Sequence, residues 1–329
     1  MNKISAYFIF IFLLINHPLK AQEVFHEKLK LMGSRFDITV VEKDSVKARR
    51  YISMAVEEIK RIEKIISSWD PASQTSEINR NAGKKAVVVS PELFNLIKRA
   101  LVISKITDGA FDISYASMDR IWKFDGSMKK MPSQEEIKKS VEKVGYENIV
   151  LDEKNHSVFL KKEGMKIGFG GIGKGYAADM AKKLLKEKGV RAGIINASGD
   201  MNTWGKQPGG KDWMVAITNP MNKKQAFGLV PISDKAVVTS GNYEKYVKFN
   251  HIRYSHIINP KTGYPASGII SATVFAPSAE LADALATSVF VMGIDAGINL
   301  IDQLAGIECI VINDKGKIFK SKNININEN

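Results

Sequence analysis

Five glycines fall within eight residues, Gly168-Phe169-Gly170-Gly171-Ile172-Gly173-Lys174-Gly175. Glycine loses more backbone freedom on folding than any other residue, so such a run makes a poor helix or strand interior. It reads as a tight turn where a ligand or another part of the chain approaches the backbone closely. The flanks agree: residues 166–169 read as a short strand, and 175–188 read as a helix. A glycine turn between strand and helix aims backbone amides at the space where a phosphate would sit. Gly168, Gly170 and Gly173 satisfy GxGxxG, while Gly168, Gly173 and Lys174 satisfy GxxxxGK. Each match has a fault. A P-loop carries Ser or Thr after the lysine to ligate magnesium, and here Gly175 follows. A dinucleotide fold has an acidic residue about 20 positions on, and Asp200 comes later. An anion-binding turn of another kind and a turn for close packing both stay open.

The rest of the chain mixes helical and strand patterning without strict βαβ alternation, which predicts an α+β fold. Residues 25–41 read as two extended stretches bent at Met32-Gly33. Asp44 precedes a helix over 46–66, where Ile52, Ala55, Ile59, Ile62 and Ile66 fall near helical spacing. Residues 67–83 read as a polar loop, 86–89 as a strand, and Ser90-Pro91 as the start of a second helix. Residues 109–122 read as irregular. Ser133 and Glu136 form a capping box for a helix to about 144. Short strands are expected at 157–161, 192–196, 213–218, 226–230, 236–239, 256–258 and 269–275. Ser278 caps a last long helix that Gly293 ends, and a hairpin runs over 309–320.

Composition narrows the chemistry. One cysteine in 329 residues, Cys309, excludes an internal disulfide framework and Cys-ligated clusters. Five scattered histidines leave little for a His-rich metal site. Lys3 followed by an apolar run over 4–15 and Leu19-Lys20-Ala21 reads as a signal peptide over 1–21. The run is shorter than the roughly 20 residues of a relaxed membrane span. No cysteine follows it to carry a lipoprotein anchor. The expected location is therefore the periplasm or the outer face of the inner membrane. Cleavage would remove Lys3 and Lys20 and take the net charge from +13 to +11. That basic surface is compatible with peripheral membrane association. Export makes nucleic acid an unsuitable partner. The catalytic domain is expected over 22–321, with a polar tail over 322–329.

Three polar groups stand out, none decisive alone. Asp283 and Thr287 are four apart in a helical segment and share a face; carboxylate and hydroxyl oxygens suit Mg²⁺. His256 sits beside a Pro/Gly turn in YSHIINPKTGYP, and an imidazole with an ordinary pKa of about 6.5 can accept a proton at neutral pH. Thr239-Ser240-Gly241 and Asn196-Ala197-Ser198-Gly199-Asp200 are strand-end turns rich in polar groups. No G-x-S-x-G hydrolase signature occurs.

Taken in order, these segments resemble the ApbE-type FAD:protein FMN transferases. The resemblance runs from about Leu31 to Ile312. It is carried by Met32-Gly33-Ser34, Ser76-Glu77-Ile78 with Asn81, Asp108-Gly109-Ala110-Phe111-Asp112, GGIGKGYAAD, NASGD, TSGNY, HIINPKTGYP and DALAT. It implies two interlocked α/β subdomains with mixed, largely antiparallel sheets and a flavin-binding cleft between them. It implies FAD as substrate, Mg²⁺ as cofactor, and attack on the pyrophosphate by a Thr or Ser hydroxyl of an exported target flavoprotein of an electron-transfer complex. FMN is then linked to the target and AMP leaves. By resemblance, His256 is the catalytic base, and Asp283, Thr287 and a backbone carbonyl of Gly173 hold the metal. Met32, Trp69, Ser76, Glu77 and Asp112 frame the flavin, with Trp69 where the family usually has tyrosine. Lys174, Asp179, Asp200, Ser240, Gly241 and Thr262 complete the FAD pocket. The family often has Asp at Gly168, Gly at Ser198, and Asp at Asn242 and Asn259. Two alternatives remain: a Mg²⁺-dependent FAD pyrophosphatase, with water as acceptor, and a non-enzymatic periplasmic flavin-binding protein.

Overall fold

The structure is a computed structural model that describes residues 21–218, 226–242, 246–250 and 252–324. The apolar run assigned to a signal peptide and the last five residues of the tail lie outside the described residues. Among the described residues no helix is long and apolar enough to cross a membrane.

Strands β1 (Glu23–Leu31) and β2 (Ser34–Glu42) form a hairpin turned at Met32 and Gly33. Both turn residues have positive φ, 49° and 69°, the mirror-image turn whose twist suits a hairpin. Helix α1 (Ser45–Ile66) starts at Asp44, whose carboxylate accepts from the N–H groups of Val46 and Lys47 at 2.8 and 3.0 Å. The expected loop over 67–83 instead contains α2 (Gln74–Arg80). Ser73 caps it, its hydroxyl accepting from the Ser76 N–H at 3.0 Å. Two helical turns with Ile78 as their one buried apolar side chain leave no period to read. Then come β3 (Val87–Val88) and α3 (Pro91–Ile106), capped by Ser90 with proline in its first turn. Helix α4 (Gln134–Ser140) has the expected capping box but stops four residues earlier than the pattern suggested. Strands β4 (Ile149–Asp152) and β5 (Ser157–Leu160) follow.

Residues 166–169, expected as a strand, are not one. Side chains stand in for a neighbouring strand: Asn79 bonds both the N–H and the carbonyl of Ile167, at 2.8 and 3.0 Å. Ser117 does the same for Lys166. Helix α5 (Gly173–Glu187) begins inside the glycine run. The remaining strands are β6 (Gly193–Ala197), β7 (Asp200–Trp204), β8 (Trp213–Thr218), β9 (Ala226–Ile232), β10 (Ala236–Gly241), β11 (Tyr246–Phe249), β12 (Ile252–Ser255) and β13 (Ile269–Ala276). Residues 256–258 were expected as a strand. That strand ends at Ser255 instead, and His256 is the first residue beyond it. Ser278 caps α6 (Ala279–Met292), and Gly293 turns directly into α7 (Ile294–Ile301), which the sequence pattern did not reveal. The hairpin of β14 (Glu308–Asn313) and β15 (Ile318–Lys320) closes the fold.

Eight strands make one sheet in the order β1-β2-β6-β7-β10-β13-β14-β15. Every described strand pairing in the molecule is antiparallel. Alternate residues of the sheet serve two cores. Ala236, Val238, Val274 and Val311 join the large core with α1, α5 and α6. Val237, Phe275, Ile310 and Ile312 face the β8–β9 hairpin through Trp213 and Val215. With both faces covered, β13 is buried along its whole length. The three-stranded sheet β3-β5-β4 and helices α2 and α3 extend the large core on the helical side. A small third cluster joins Trp122 and Ile137 to Val247 of β11. Helices gathered on one face of an antiparallel sheet give the α+β class that the sequence predicts.

Candidate active site

The glycine run lets two helices touch. A Cβ on Gly175 would lie 2.2 Å from the backbone oxygen of Ala279, so α5 and the start of α6 cross at contact distance. The glycine that spoils the P-loop match is therefore required by helix packing. The crossing sets Lys174 beside Asp283 of α6, with Nζ 3.6 Å from Oδ2. The Gly175 N–H also donates to that carboxylate, at 3.3 Å. Asp200 enters from β7 and pairs with the same ammonium. The β6–β7 turn that delivers it uses Ser198 and Gly199 at φ 60° and 106°. At Ser198, where the resemblance implies glycine, the backbone takes the left-handed conformation that glycine adopts most readily.

One turn along α6, the Thr287 hydroxyl lies 3.4 Å from the Ser240 hydroxyl at the end of β10. A Cβ on Gly171 would lie 3.3 Å from Thr287 Oγ1, so the glycine loop passes directly over this threonine. These groups wall a cavity of about 450 Å³. It holds Asp112, Lys174, Asp200, Ser240, Gly241, His256, Asp283 and Thr287 among its lining residues. His256 is exposed at the edge. Its loop is tied down by the Trp122 Nε1–H, which donates to the Gly263 carbonyl at 2.9 Å, and by the Lys261–Asp108 ion pair at 2.6 Å.

Burial dominates the electrostatics. Asp200 and Asp283 are each only 4% exposed. Burial first, then the Asp283 charge, pushes the Asp200 carboxyl up to about 7. Burial likewise raises Asp283, opposed by Lys174 and the Gly175 N–H. Burial works against the Lys174 ammonium too, but the two carboxylates outweigh it and hold its pKa above the ordinary lysine value. When both carboxyls are ionised, one ammonium leaves buried negative oxygen that a bound cation would balance. Asp283, Thr287 and Ser240 are all oxygen donors of the hard type that Mg²⁺ prefers. No set of three or more acidic, histidine or cysteine side chains gathers among the described residues, so a cation here would also draw on backbone or ligand oxygens.

The other expected site residues lie outside the cavity lining. Asp179 works at the start of α6. Its carboxylate accepts from the N–H groups of Ala279 and Glu280 at 2.9 and 2.8 Å and from the Asn202 amide. It thereby orients the helix carrying Asp283 and Thr287. A Cβ on Gly173 would lie 2.8 Å from Ile66 Cδ1, so this glycine is packed against α1, while Gly170 and Gly171 line the cavity. Met32 sits in the first hairpin turn, its N–H donating to Glu63 at 3.2 Å. Ser76 is buried in α2 and Glu77 is exposed there. Trp69 is 76% exposed, with the Arg120 guanidinium 4.7 Å over its ring. Thr262 lies in an exposed turn, its hydroxyl accepting from the Tyr264 N–H at 3.3 Å. Asp112 does line the cavity, but both its oxygens already accept backbone N–H groups, from Ser114 and Tyr146, at 2.7 and 2.8 Å.

Two departures from the family pattern have local causes. The Asn242 amide donates to the Ile269 carbonyl at 2.8 Å, which an aspartate could not do when ionised. A Cβ on Gly168 would lie 3.1 Å from that of Ala116. The cavity also contains a residue that the sequence pattern did not single out. Tyr115 lines it and accepts the Gly170 N–H at 3.2 Å. Desolvation at its hydroxyl, which faces the Gly170 backbone although the residue as a whole is exposed, raises the phenol pKa and keeps it a proton donor at neutral pH.

The model of the ApbE family matches residues 32–311. An FAD:protein FMN transferase of Klebsiella pneumoniae (strain 342) is 30% identical over 293 residues, spanning 88% of this chain and 90% of its own. One from Escherichia coli (strain K12) is 27% identical over 298 residues, spanning 89% and 85%. The crystal structure of the ApbE protein of Thermotoga maritima superposes with a TM-score of 0.82 at 32% identity, over 91% of this chain and 97% of that one. The apo flavinyl transferase ApbE of Pseudomonas stutzeri has the same fold, with a TM-score of 0.82 at 24% identity. The matched span contains every residue of the cavity, and this chain belongs to the ApbE family.

Proposed function

We propose that this protein transfers the FMN moiety of FAD to a Thr or Ser hydroxyl of an exported flavoprotein, with release of AMP. The carrying observation is the convergence of His256, Lys174, Asp200, Asp283, Thr287 and Ser240 on one cavity. Relatives at 30% and 27% identity bear the name FAD:protein FMN transferase. His256, exposed at the edge, is placed to meet a hydroxyl arriving on another protein and to take its proton. The hydroxyl oxygen bonds to the FMN-side phosphorus as the bond to the AMP phosphate breaks, and AMP departs with that electron pair. Lys174 supplies fixed positive charge beside the diphosphate, and Asp179 keeps α6 aligned beneath it. Asp283 and Thr287 would hold Mg²⁺, which neutralises phosphate charge when bound. The apolar N-terminal run supports export to the periplasm or the outer face of the inner membrane.

The test mixes protein, FAD, Mg²⁺ and a target-motif peptide, and weighs the peptide by mass spectrometry. A gain of one FMN with AMP released, absent in EDTA, supports the transferase. An unchanged peptide with free FMN and AMP replaces it with a pyrophosphatase. FAD bound and never cleaved leaves a flavin-binding protein.

A further inference from the structure

Resting on the flavin-nucleotide reading above, we infer that Tyr115 is a substrate-binding residue whose hydroxyl donates its proton to a phosphate oxygen of the nucleotide in the cavity. Gly170 and Gly171 line the cavity beside Lys174, in the turn that opens α5. An amide in such a turn is the ordinary donor to a phosphate. Here the Gly170 N–H is already committed to the Tyr115 oxygen, at 3.2 Å. Among the described residues that is the one hydrogen bond the phenol makes, and in it the phenol is the acceptor. Among the described residues its proton therefore meets no protein acceptor, while the residue is 40% exposed and lines the cavity. The amide's polarity is relayed outward through the hydroxyl, and an acceptor on the ligand completes the chain.

The local sequence is fitted to this arrangement. A Cβ on Gly170 would lie 2.2 Å from the Tyr115 oxygen, and one on Gly168 would lie 3.7 Å from it. Gly170 has no positive φ, so its backbone would accept alanine. What forbids a side chain there is the phenol oxygen; the next nearest atom, Cζ of the same ring, is 3.3 Å away. Tyr115 and Gly170 therefore act as one unit.

The experiment titrates FMN, FAD and riboflavin, in Mg²⁺, into wild type, Tyr115→Phe, Gly170→Ala and the double variant, following flavin fluorescence. Tyr115→Phe should weaken FMN and FAD about tenfold, the effect of losing a hydrogen bond to a charged group. Riboflavin, which has no phosphate, should change less than twofold. Gly170→Ala should show the same phosphate-selective loss, because its methyl displaces the hydroxyl. The double variant should be no worse than either single one. Unchanged or tighter FMN binding by Tyr115→Phe would overturn the inference, because the hydroxyl would then merely plug a useful amide. An equal loss for riboflavin would also overturn it, assigning the effect to ring packing. Failure of the flavin-nucleotide reading appears separately, as wild type binding neither FMN nor FAD, and it removes the inference as well.

Discussion

The floor and the rim of the cavity are built on different principles. The floor is the Lys174, Asp200 and Asp283 cluster, delivered by α5, β7 and α6, with both carboxylates almost wholly buried and the lysine half-buried. Each member is set by regular backbone, and the α5–α6 contact at Gly175 leaves no slack. The rim is loop. His256 and Thr262 ride on irregular chain, and Trp69 meets water over three-quarters of its surface. The clasp between Lys261 and Asp108 is itself solvent-facing. On the proposed function, a rigid floor would suit the diphosphate common to every turnover, and an open rim would suit a protein acceptor that must enter and leave. The lesson is that burial separates the groups fixed by regular backbone from those carried on solvent-facing loops.

Four changes would break or sharpen that contrast. The largest effect is expected at the floor. Asp283→Ala should lower the FMN-transfer rate more than about 100-fold, since it removes a fixed charge from the reacting centre. Rate measurements across Mg²⁺ concentrations check this; full activity in EDTA would sink the metal assignment.

The second concerns the support beneath the floor. Burial raises the Asp179 carboxyl to about 6, above an unfolded value of about 3.9. The folded state then holds the proton more tightly, so this group's contribution to stability is present below about pH 4 and is lost as pH rises through about 6. Asp179→Asn keeps an acceptor for the start of α6 and removes the titration. Relative to wild type the variant should gain up to roughly 3 kcal/mol between pH 4 and pH 7, read from denaturant unfolding at both values. A difference that does not move with pH would mean that the carboxylate is well solvated.

Third, Gly175→Ala should cost about 1–3 kcal/mol, because its methyl meets backbone rather than a flexible side chain. Thermal unfolding measures it; a neutral outcome would show that α5 and α6 can slide apart. The smallest effect is expected at the rim. Trp69→Ala should change stability by less than about 0.5 kcal/mol. It should raise KM for FAD only a fewfold with kcat retained. A collapse of kcat would move Trp69 from the rim into the reacting centre.

Much of this molecule could be read from residue order. The Asp44 and Ser90 caps, the Ser133–Glu136 box and the five-residue apolar face of α1 each carry their signal within a turn or two of chain. The Asp283–Thr287 pair was legible for the same reason, since a spacing of four on a helix is local geometry. The exceptions share one cause. The α2 segment is too short and polar to show a period, and residues 166–169 are satisfied by side chains distant in sequence. Asp179, the last residue of the GKGYAAD segment, reads by resemblance as part of the FAD pocket, and its bonds to the N–H groups of α6, 100 and 101 residues away, are not legible in the sequence. Tyr115 gave no signal because nothing near it in sequence explains it; its partner, Gly170, is 55 residues away.

What the sequence by itself determined is the set of local elements, the chemical types available, and, through ordered motifs, the family. What only the tertiary structure decided is which of those groups share a cavity and which serve the scaffold. Caps, turns and amphipathic faces are settled by neighbours within about one turn, so they are written in the order of residues. The Lys174–Asp200–Asp283 cluster and the Tyr115–Gly170 contact depend on how closely separate elements approach. That approach is set by missing Cβ atoms and by packing across the whole core, which no local pattern encodes.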